Sequence, residues 1–213
     1  MKILAACTVA GISFALLFSA EDAQTETVKQ MATASVKMMN ATNQEVGEAT
    51  LTQTPQGVLI HLRLANMEPG AHAFHIHETG KCEPPFQSAG THFNPAGKKH
   101  GVKNPSGRHA GDLLNLHVPD NGTLTVEVLA PNVNLRKGKK GLLDTDGSAL
   151  IIHEKADDYR SDPAGEAGGR IVCGVINTAS LAAAPSFAST ALETPKTPSD
   201  SSPPISMRPS ASE

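Results

Sequence analysis

The sequence has few aromatic residues and no excess of basic ones. Its 213 residues include no tryptophan, one tyrosine and six phenylalanines, and 18 lysines and arginines stand against 21 aspartates and glutamates. A formal charge of -3 gives little means of holding a phosphate backbone, so we expect no nucleic-acid partner. Nine histidines are a high count for this length. We therefore expect the chemistry of the protein among its histidines.

The N-terminal segment has the composition of an export signal. Met1 and Lys2 precede an apolar stretch over residues 3–18, and polar and acidic residues follow. This charged, apolar, polar order is typical of a secretory signal peptide. We predict such a peptide over residues 1–22, with a cleavage point that the small-residue rule does not fix and a retained N-terminal anchor as the alternative. The expected location is the periplasm or another extracytoplasmic compartment, without stable membrane insertion if the signal is cleaved.

Cysteine is scarce, at three residues. Cys7 lies within the predicted signal, which leaves Cys82 and Cys173. An even pair in a chain bound for an oxidising compartment is expected to form a disulfide. Two buried free thiols are the alternative, and they would require a reducing compartment.

Alternation of apolar and polar residues dominates residues 35–177. In residues 58–64 and again in residues 124–128 every second side chain is apolar, as in a strand with one buried face. Turn sequences rich in Pro, Gly, Asn and Asp separate these runs. The pattern predicts one all-β domain, either a sandwich or a barrel.

Three segments depart from this alternation. Residues 78–108 and 154–169 are long and rich in glycine and proline, and long irregular loops in a small domain are usually functional. Residues 178–213 consist mainly of Ala, Ser, Thr and Pro, which cannot bury enough apolar surface to offset the entropy lost on ordering. We expect a disordered tail there.

The histidines cluster at the predicted loops. His75 and His77 flank a single residue, so on a strand both imidazoles leave the same face. The loop that follows holds four further candidate ligands: His92, His100, His109 and Asp112. Three imidazoles and one carboxylate make a closed set suited to Zn²⁺. His153 ends a later apolar run. On spacing alone, a polar strand face and a solvated loop remain the alternatives.

Six runs of sequence, in order, resemble the copper/zinc superoxide dismutase family. They are FHIHE at 74–78, THFNP at 91–95, KHG at 99–101, RHAGDL at 108–113, HEKADD at 153–158 and GRIVCGVI at 169–176. The resemblance covers residues 35–177, and the short loop 157–163 is similar to that of bacterial, exported members. It implies a Greek-key β-sandwich, or flattened barrel, with two long functional loops.

The resemblance also implies two metal sites, with one copper and one zinc per chain. The copper ligands would be His75, His77, His92 and His153. The zinc ligands would be His92, His100, His109 and Asp112. His92 would thus bridge the two metals, and Asp157 would hydrogen-bond His75 and His100 and tie the sites together.

The implied activity is dismutation of superoxide to oxygen and hydrogen peroxide, which would protect the cell envelope. Arg170 would dock the superoxide anion beside copper, and His92 would take up and deliver a proton. The disulfide between Cys82 and Cys173 would fix Arg170 and the zinc loop. Gln87 stands where many bacterial relatives carry a lysine, which leaves electrostatic steering of the substrate open.

Alternatives to this interpretation come from other functional classes. The first is a non-catalytic periplasmic protein that binds copper and zinc, including a copper chaperone with a dismutase-like domain. A copper-only dismutase and an adhesion module on a β-sandwich are less consistent with the full ligand set. A homodimer is possible, since bacterial relatives include monomers and dimers. Three histidines remain unassigned: His61, His72 and His117. A structural role is the default for His72, which adjoins the first motif, and bracing of the site by a hydrogen bond is the alternative.

Overall fold

The computed structural model describes residues 31–181 of the chain, which form strands joined by irregular loops. The strands are β1 Thr33–Asn40, β2 Glu45–Thr54, β3 Gly57–Leu64, β4 Gly70–His72, β5 Phe74–His77, β6 Leu116–Val118, β7 Leu124–Ala130, β8 Ser148–His153 and β9 Arg170–Ile176. Two 3₁₀ turns lie at Gln87–Ala89 and Thr178–Ser180, and these described residues contain no α-helix. The predicted signal peptide and residues 182–213 of the predicted tail lie outside the described residues.

Seven strands form one antiparallel sheet in the order β5-β8-β9-β1-β2-β3-β7, and β4 pairs with β6. The strands β7 and β8 are consecutive in sequence, yet β7 lies at one edge of the sheet and β8 beside the other edge. The connection 131–147 therefore crosses the fold, as in a Greek key. The predicted all-β Greek-key class is confirmed.

The two strands predicted from alternation are present, but they are buried to different degrees. In β3 the side chains of Val58, Ile60 and Leu62 are fully buried. In β7 every second side chain from Leu124 to Val128 lies on one face, as predicted, but that face is only half-buried. The reason is topological, because β7 is an edge strand that pairs with β3 alone.

The strands β5 and β8 are buried along their whole lengths and pair side by side. His75 lies opposite Ile151 and His77 opposite Ala149. Beyond the free edge of β5, the following loop folds back, with isolated bridges from His75 to Asp112 and from His77 to His92. The sheet therefore supplies a rigid wall, and the loop between β5 and β6 closes over it.

A disulfide joins this loop to the sheet. Cys82 in the loop is bonded to Cys173 in β9, across a sequence separation of 91 residues. The sulfur pair lies in a small apolar cluster with Phe86, Ala89 and Ile151. The predicted disulfide is confirmed, and it fixes the start of the loop against β9.

Candidate metal centre

Four histidines converge at the edge of β5, and we call them the strand cluster: His75, His77, His92 and His153. One ring nitrogen from each lies within 4.8 Å of the others. Each of the four side chains has one buried ring nitrogen without a hydrogen-bond partner among residues 31–181, namely His75 Nδ1, His77 Nε2, His92 Nε2 and His153 Nε2. A single unpaired buried polar atom costs about 1–3 kcal/mol, so four in one place need an explanation. Imidazole nitrogens that coordinate a metal ion provide one.

The other ring nitrogens of these histidines are held by the surrounding protein. His77 Nδ1 donates to the carbonyl of Gly90 at 3.1 Å, and His153 Nδ1 lies 3.4 Å from the carbonyl of Gly168. His75 Nε2 lies 2.9 Å from a carboxylate oxygen of Asp157. Such contacts fix the tautomer and the orientation of a metal-binding imidazole.

A second group adjoins the first, and we call it the loop cluster: His92, His100, His109 and Asp112. The Nδ1 atoms of the three histidines lie 2.9, 3.1 and 3.1 Å from Asp112 Oδ1, in the order just given. His109 Nδ1 and His92 Nδ1 are 3.4 Å apart. A tetrahedral ion with bonds of about 2.0–2.1 Å separates its donor atoms by about 3.3–3.4 Å. The observed separations are close to that spacing.

The second carboxylate oxygen of Asp112 is held by the backbone of the same loop. Asp112 Oδ2 accepts hydrogen bonds from the amides of Gly101 and His109, at 2.8 and 3.0 Å. These contacts leave Oδ1 directed at the three imidazoles. The loop therefore presents a carboxylate oxygen and three ring nitrogens, the donor types that Zn²⁺ prefers.

His92 belongs to both clusters, and Asp157 links them a second time. The two ring nitrogens of His92 differ, since Nε2 is unpartnered and Nδ1 faces Asp112. Asp157 is buried and lies 2.9 Å from His75 Nε2 and 3.0 Å from His100 Nε2. The residue therefore contacts one histidine of each cluster.

The protonation states of the side chains differ within and between the two clusters. Burial lowers the pKa of His92 to about 4 and that of His153 to about 3, so both are neutral at pH 7 and can ligate a metal. Burial also acts on His100, but hydrogen bonds to Asp112 and Asp157 outweigh it and raise the pKa of His100 to about 9. Burial opposes ionisation of Asp112, yet hydrogen bonds from the three histidines hold its pKa far below the usual range.

Arg170 lies beside the strand cluster and is held by two backbone carbonyls. Its Nη1 donates to Phe86 at 2.6 Å, and its Nη2 donates to Gly90 at 2.7 Å. The carbonyl of Gly90 is the one that also accepts from His77. Because Arg170 pairs with His153 across β8 and β9, its guanidinium is positioned by both the sheet and the loop.

Several contacts around the site could not have been found from side-chain patterns. The carbonyls of Gly90 and Phe86 act through the backbone, which no side-chain motif reports. His72 is buried, with Nδ1 2.8 Å from the carbonyl of His153 and Nε2 2.9 Å from that of Glu68. That contact supports the structural role expected for His72 and connects it to the strand cluster.

The other two unassigned histidines lie away from the clusters. His61 accepts a hydrogen bond from Arg63 at 3.1 Å and lies 3.7 Å from Glu127, and His117 is exposed. Neither belongs to a group of potential metal ligands among residues 31–181. Three lysines of the loop between β5 and β6 are exposed, namely Lys98, Lys99 and Lys103, and Lys99 is paired with Asp162 at 2.8 Å.

A family model described as copper/zinc superoxide dismutase (SODC) matches residues 45–176. The chain belongs to the copper/zinc superoxide dismutase family. Superoxide dismutase [Cu-Zn] 1 of Aquifex aeolicus (strain VF5) is 55% identical over 142 residues, which cover 65% of this chain and 84% of that relative. Membership identifies the chain as an oxidoreductase of the superoxide dismutase class whose cofactors are copper and zinc.

Solved structures agree with this membership. A double mutant of a SOD-like protein from Bacillus subtilis matches with a TM-score of 0.66 and 46% identity, over 67% of this chain and 96% of that one. The clock protein EA4 matches with a TM-score of 0.58 and 36% identity, over 69% of this chain and 94% of that one. Within residues 31–181, no helix has the length and apolar content needed to cross a bilayer.

Proposed function

We propose that this copper/zinc superoxide dismutase binds copper at the strand cluster and zinc at the loop cluster, with His92 bridging the two ions. The observation that carries this proposal is the asymmetry of His92. Its Nε2 is buried and unpartnered beside three other histidines, whereas its Nδ1 lies 2.9 Å from Asp112. A deprotonated imidazole ring offers a lone pair at each nitrogen, so one side chain can serve both sites.

The donor sets support this division of metals. The strand cluster offers three neutral imidazoles and the shared ring of His92, which suit copper in a redox role. The loop cluster offers that same ring, two further imidazoles and a carboxylate, which suit zinc in a structural role. Copper bound there would supply the electron chemistry of the reaction, in which one superoxide ion is oxidised and a second is reduced. The reaction consumes two superoxide ions and two protons and gives one oxygen and one hydrogen peroxide.

The residues around copper would bind the anion and supply a proton. Arg170 would attract superoxide with its guanidinium, which the carbonyls of Phe86 and Gly90 hold in one orientation. His92 would take a proton on Nε2, the nitrogen directed at the strand cluster, and donate it to the oxygen species being reduced. Asp157 would keep His75 and His100 in their ligating orientations.

We further propose that the chain acts outside the cytoplasm and protects the cell envelope from superoxide. The disulfide supports this location, because such bonds persist in oxidising compartments. Residues 1–22 would direct export. Mass spectrometry of the mature protein from the periplasmic fraction tests both points, since it reports the first residue and the compartment together.

The alternative function is that of a non-catalytic protein that binds copper and zinc. Relatives with the same fold include a protein described as SOD-like and one described as a clock protein, so the scaffold does not by itself imply dismutation. The completeness of the two clusters and the placement of Arg170 favour the enzyme.

The deciding experiment measures superoxide disappearance by the purified protein after loading with copper and zinc. Elemental analysis should give one copper and one zinc per chain, and turnover should be fast. A His153→Ala variant should lose copper and turnover while it retains zinc. Full metal content without turnover would instead support the metal-binding alternative.

A further inference from the structure

Asp157 has an unusual position for a residue that contacts both clusters. Its side chain is fully buried, yet it lies in the loop 154–169 and not on a strand. One oxygen lies near His100 and also accepts from the amide of Tyr159 at 2.6 Å, while the other lies near His75. Contacts of 2.9–3.0 Å to two histidines require this loop residue to be held to within a few tenths of an ångström.

Asn115, at the end of the loop before β6, makes two hydrogen bonds to the backbone of Asp157. Its Nδ2 donates to the carbonyl of Asp157 at 2.9 Å, and its Oδ1 accepts from the amide of Asp157 at 2.8 Å. The two bonds form a closed ring that fixes both the position and the direction of one peptide segment. Asn115 directly precedes β6, so it transmits the rigidity of a paired strand to Asp157.

Tyr159 completes the connection between the two loops. Its hydroxyl accepts a hydrogen bond from the amide of Asn115 at 2.8 Å, and its carbonyl accepts from the amide of Lys103 at 3.0 Å. The φ angle of Tyr159 is 66°, a left-handed conformation that a non-glycine residue adopts at some cost. The side chain and the backbone of this one residue therefore contact three segments: Asp157, Asn115 and Lys103.

Two glycines make this packing possible. A Cβ atom on Gly165 would lie 1.9 Å from Asp157 Oδ1, and one on Gly101 would lie 2.1 Å from the carbonyl of Tyr159. Both glycines also have positive φ angles, of 67° and 99° respectively. The backbone is therefore packed directly against the linking carboxylate and against Tyr159.

We infer that Asn115 and Tyr159 are positioning residues that set the geometry of Asp157. Through Asp157, they couple the zinc affinity of the loop cluster to the arrangement of the imidazoles in the strand cluster. This inference rests on the proposed function, because it takes the two clusters to be the zinc and copper sites. Among residues 31–181, the side chains of Asn115 and Tyr159 make no hydrogen bond to a proposed metal ligand. Their effect on the metals passes through Asp157.

The test is a double-mutant cycle read by zinc affinity. The full chain is prepared metal-free, and Zn²⁺ is titrated against a competing chelator for the wild type, Asn115→Ala, Asp157→Asn and the double variant. Asn115→Ala should raise the apparent Kd for zinc about tenfold, because loss of a group that holds a metal ligand in place typically lowers the metal affinity about 10–100-fold. In the Asp157→Asn background the same change should cost less than about twofold, since its route to the metal has been removed.

Controls separate positioning from general loss of structure. Asn121→Ala removes a turn-capping amide at an exposed site and should leave the zinc Kd within about twofold. Tyr159→Phe removes only the hydroxyl, and we expect a smaller rise of about threefold. It provides the test if Asn115→Ala does not fold. The visible spectrum of bound Cu²⁺ should shift in both variants, because His75 is held by the same Asp157.

The possible outcomes distinguish this inference from the proposed function. Equal losses of zinc affinity in both backgrounds, or no loss in either, would overturn the positioning role even if dismutase activity is normal. A wild type that binds both metals but does not consume superoxide would overturn the proposed function, and the cycle would still decide the inference. A wild type that binds no zinc overturns both.

Discussion

The strand cluster and the loop cluster share one histidine but are built by different means. In the strand cluster, His75 and His77 belong to β5 and His153 ends β8, two strands that pair along their length. The loop cluster lies wholly in the connection between β5 and β6. Three of the four donors in the strand cluster are held by the sheet, whereas the loop cluster depends on hydrogen bonds within a loop and on the disulfide.

This difference extends to charge. The strand cluster consists of imidazoles that burial keeps neutral, whereas the loop cluster contains an ionised carboxylate that three imidazoles surround. In the proposed assignment, uncharged imidazoles suit a copper ion that changes its oxidation state. A fixed carboxylate suits a zinc ion, whose oxidation state does not change. Under the proposed assignment, a copper site held mainly by the sheet and a zinc site held within the loop adjoin each other in one small domain.

The largest expected effect is on catalysis. His153→Ala should lower dismutase activity by about 10³-fold or more, because a missing copper ligand removes the metal chemistry outright. Zinc should stay at one per chain, since His153 is absent from the loop cluster. Elemental analysis and a superoxide assay measure both quantities. Loss of zinc together with copper would show that the clusters are not separable as described.

Next in size is a change in the loop cluster. Asp112→Ala should cost about 3–5 kcal/mol of zinc binding, because it leaves three histidines without their shared carboxylate. Calorimetric titration with Zn²⁺ measures this loss. Asp120→Ala, at an exposed turn, is the matched control. Normal zinc affinity in Asp112→Ala would contradict the assignment of the loop cluster.

Removal of the disulfide tests how far the loop depends on its covalent link to the sheet. A Cys82→Ser, Cys173→Ser variant should lose about 2–4 kcal/mol of unfolding free energy. The loss should be larger in the metal-free protein, where no ion organises the loop. Urea unfolding with and without Zn²⁺ measures it. Equal losses in both states would mean that the ion does not contribute to loop order.

Histidines with lowered and with raised pKa values should give opposite pH dependences of stability in the metal-free protein. His92 and His153 have pKa values lowered from an ordinary 6.5 to about 4 and about 3. As the pH drops below 6.5, these residues take up protons in the unfolded state before they do so in the folded state, and the free energy of unfolding therefore falls. His100 has a pKa raised to about 9, so its contribution is present below pH 6.5 and is lost as the pH rises towards 9.

Urea midpoints of the metal-free protein between pH 4 and pH 9.5 test these opposite trends. A maximum near pH 6.5 is expected, and His100→Gln should remove the alkaline decline but retain the acidic one. A steady rise of stability with pH across this range in the wild type would contradict the charge difference between the clusters.

The smallest effect should come from the surface of the loop. Lys99 and Asp162 form an exposed pair at 2.8 Å, and solvent screening leaves such pairs little influence on stability. Lys99→Ala should therefore leave the urea midpoint of unfolding nearly unchanged. Lys98→Ala is the control. Lys99→Ala should change the salt dependence of the dismutase rate no more than Lys98→Ala does, because each variant removes one exposed positive charge from the same loop.

Much of the fold and the candidate site follows from local sequence patterns. The alternation in β3 and the even cysteine pair predict a strand and a disulfide that the structure contains. The six motifs in order predict the residues that the two clusters bring together. These signals are readable because the period of a strand and the chemistry of a ligand are properties of single residues and their near neighbours.

Other features depend on contacts that form only when the chain folds. Sequence spacing does not show that the edge position of β7 leaves its apolar face half-buried, or that the carbonyl of Gly90 serves both His77 and Arg170. Nor does it show that Asn115 holds Asp157, a residue 42 positions away. These contacts use backbone groups, or join segments that are distant in the chain. Every residue carries the same backbone groups, so their partners are determined only when the chain folds.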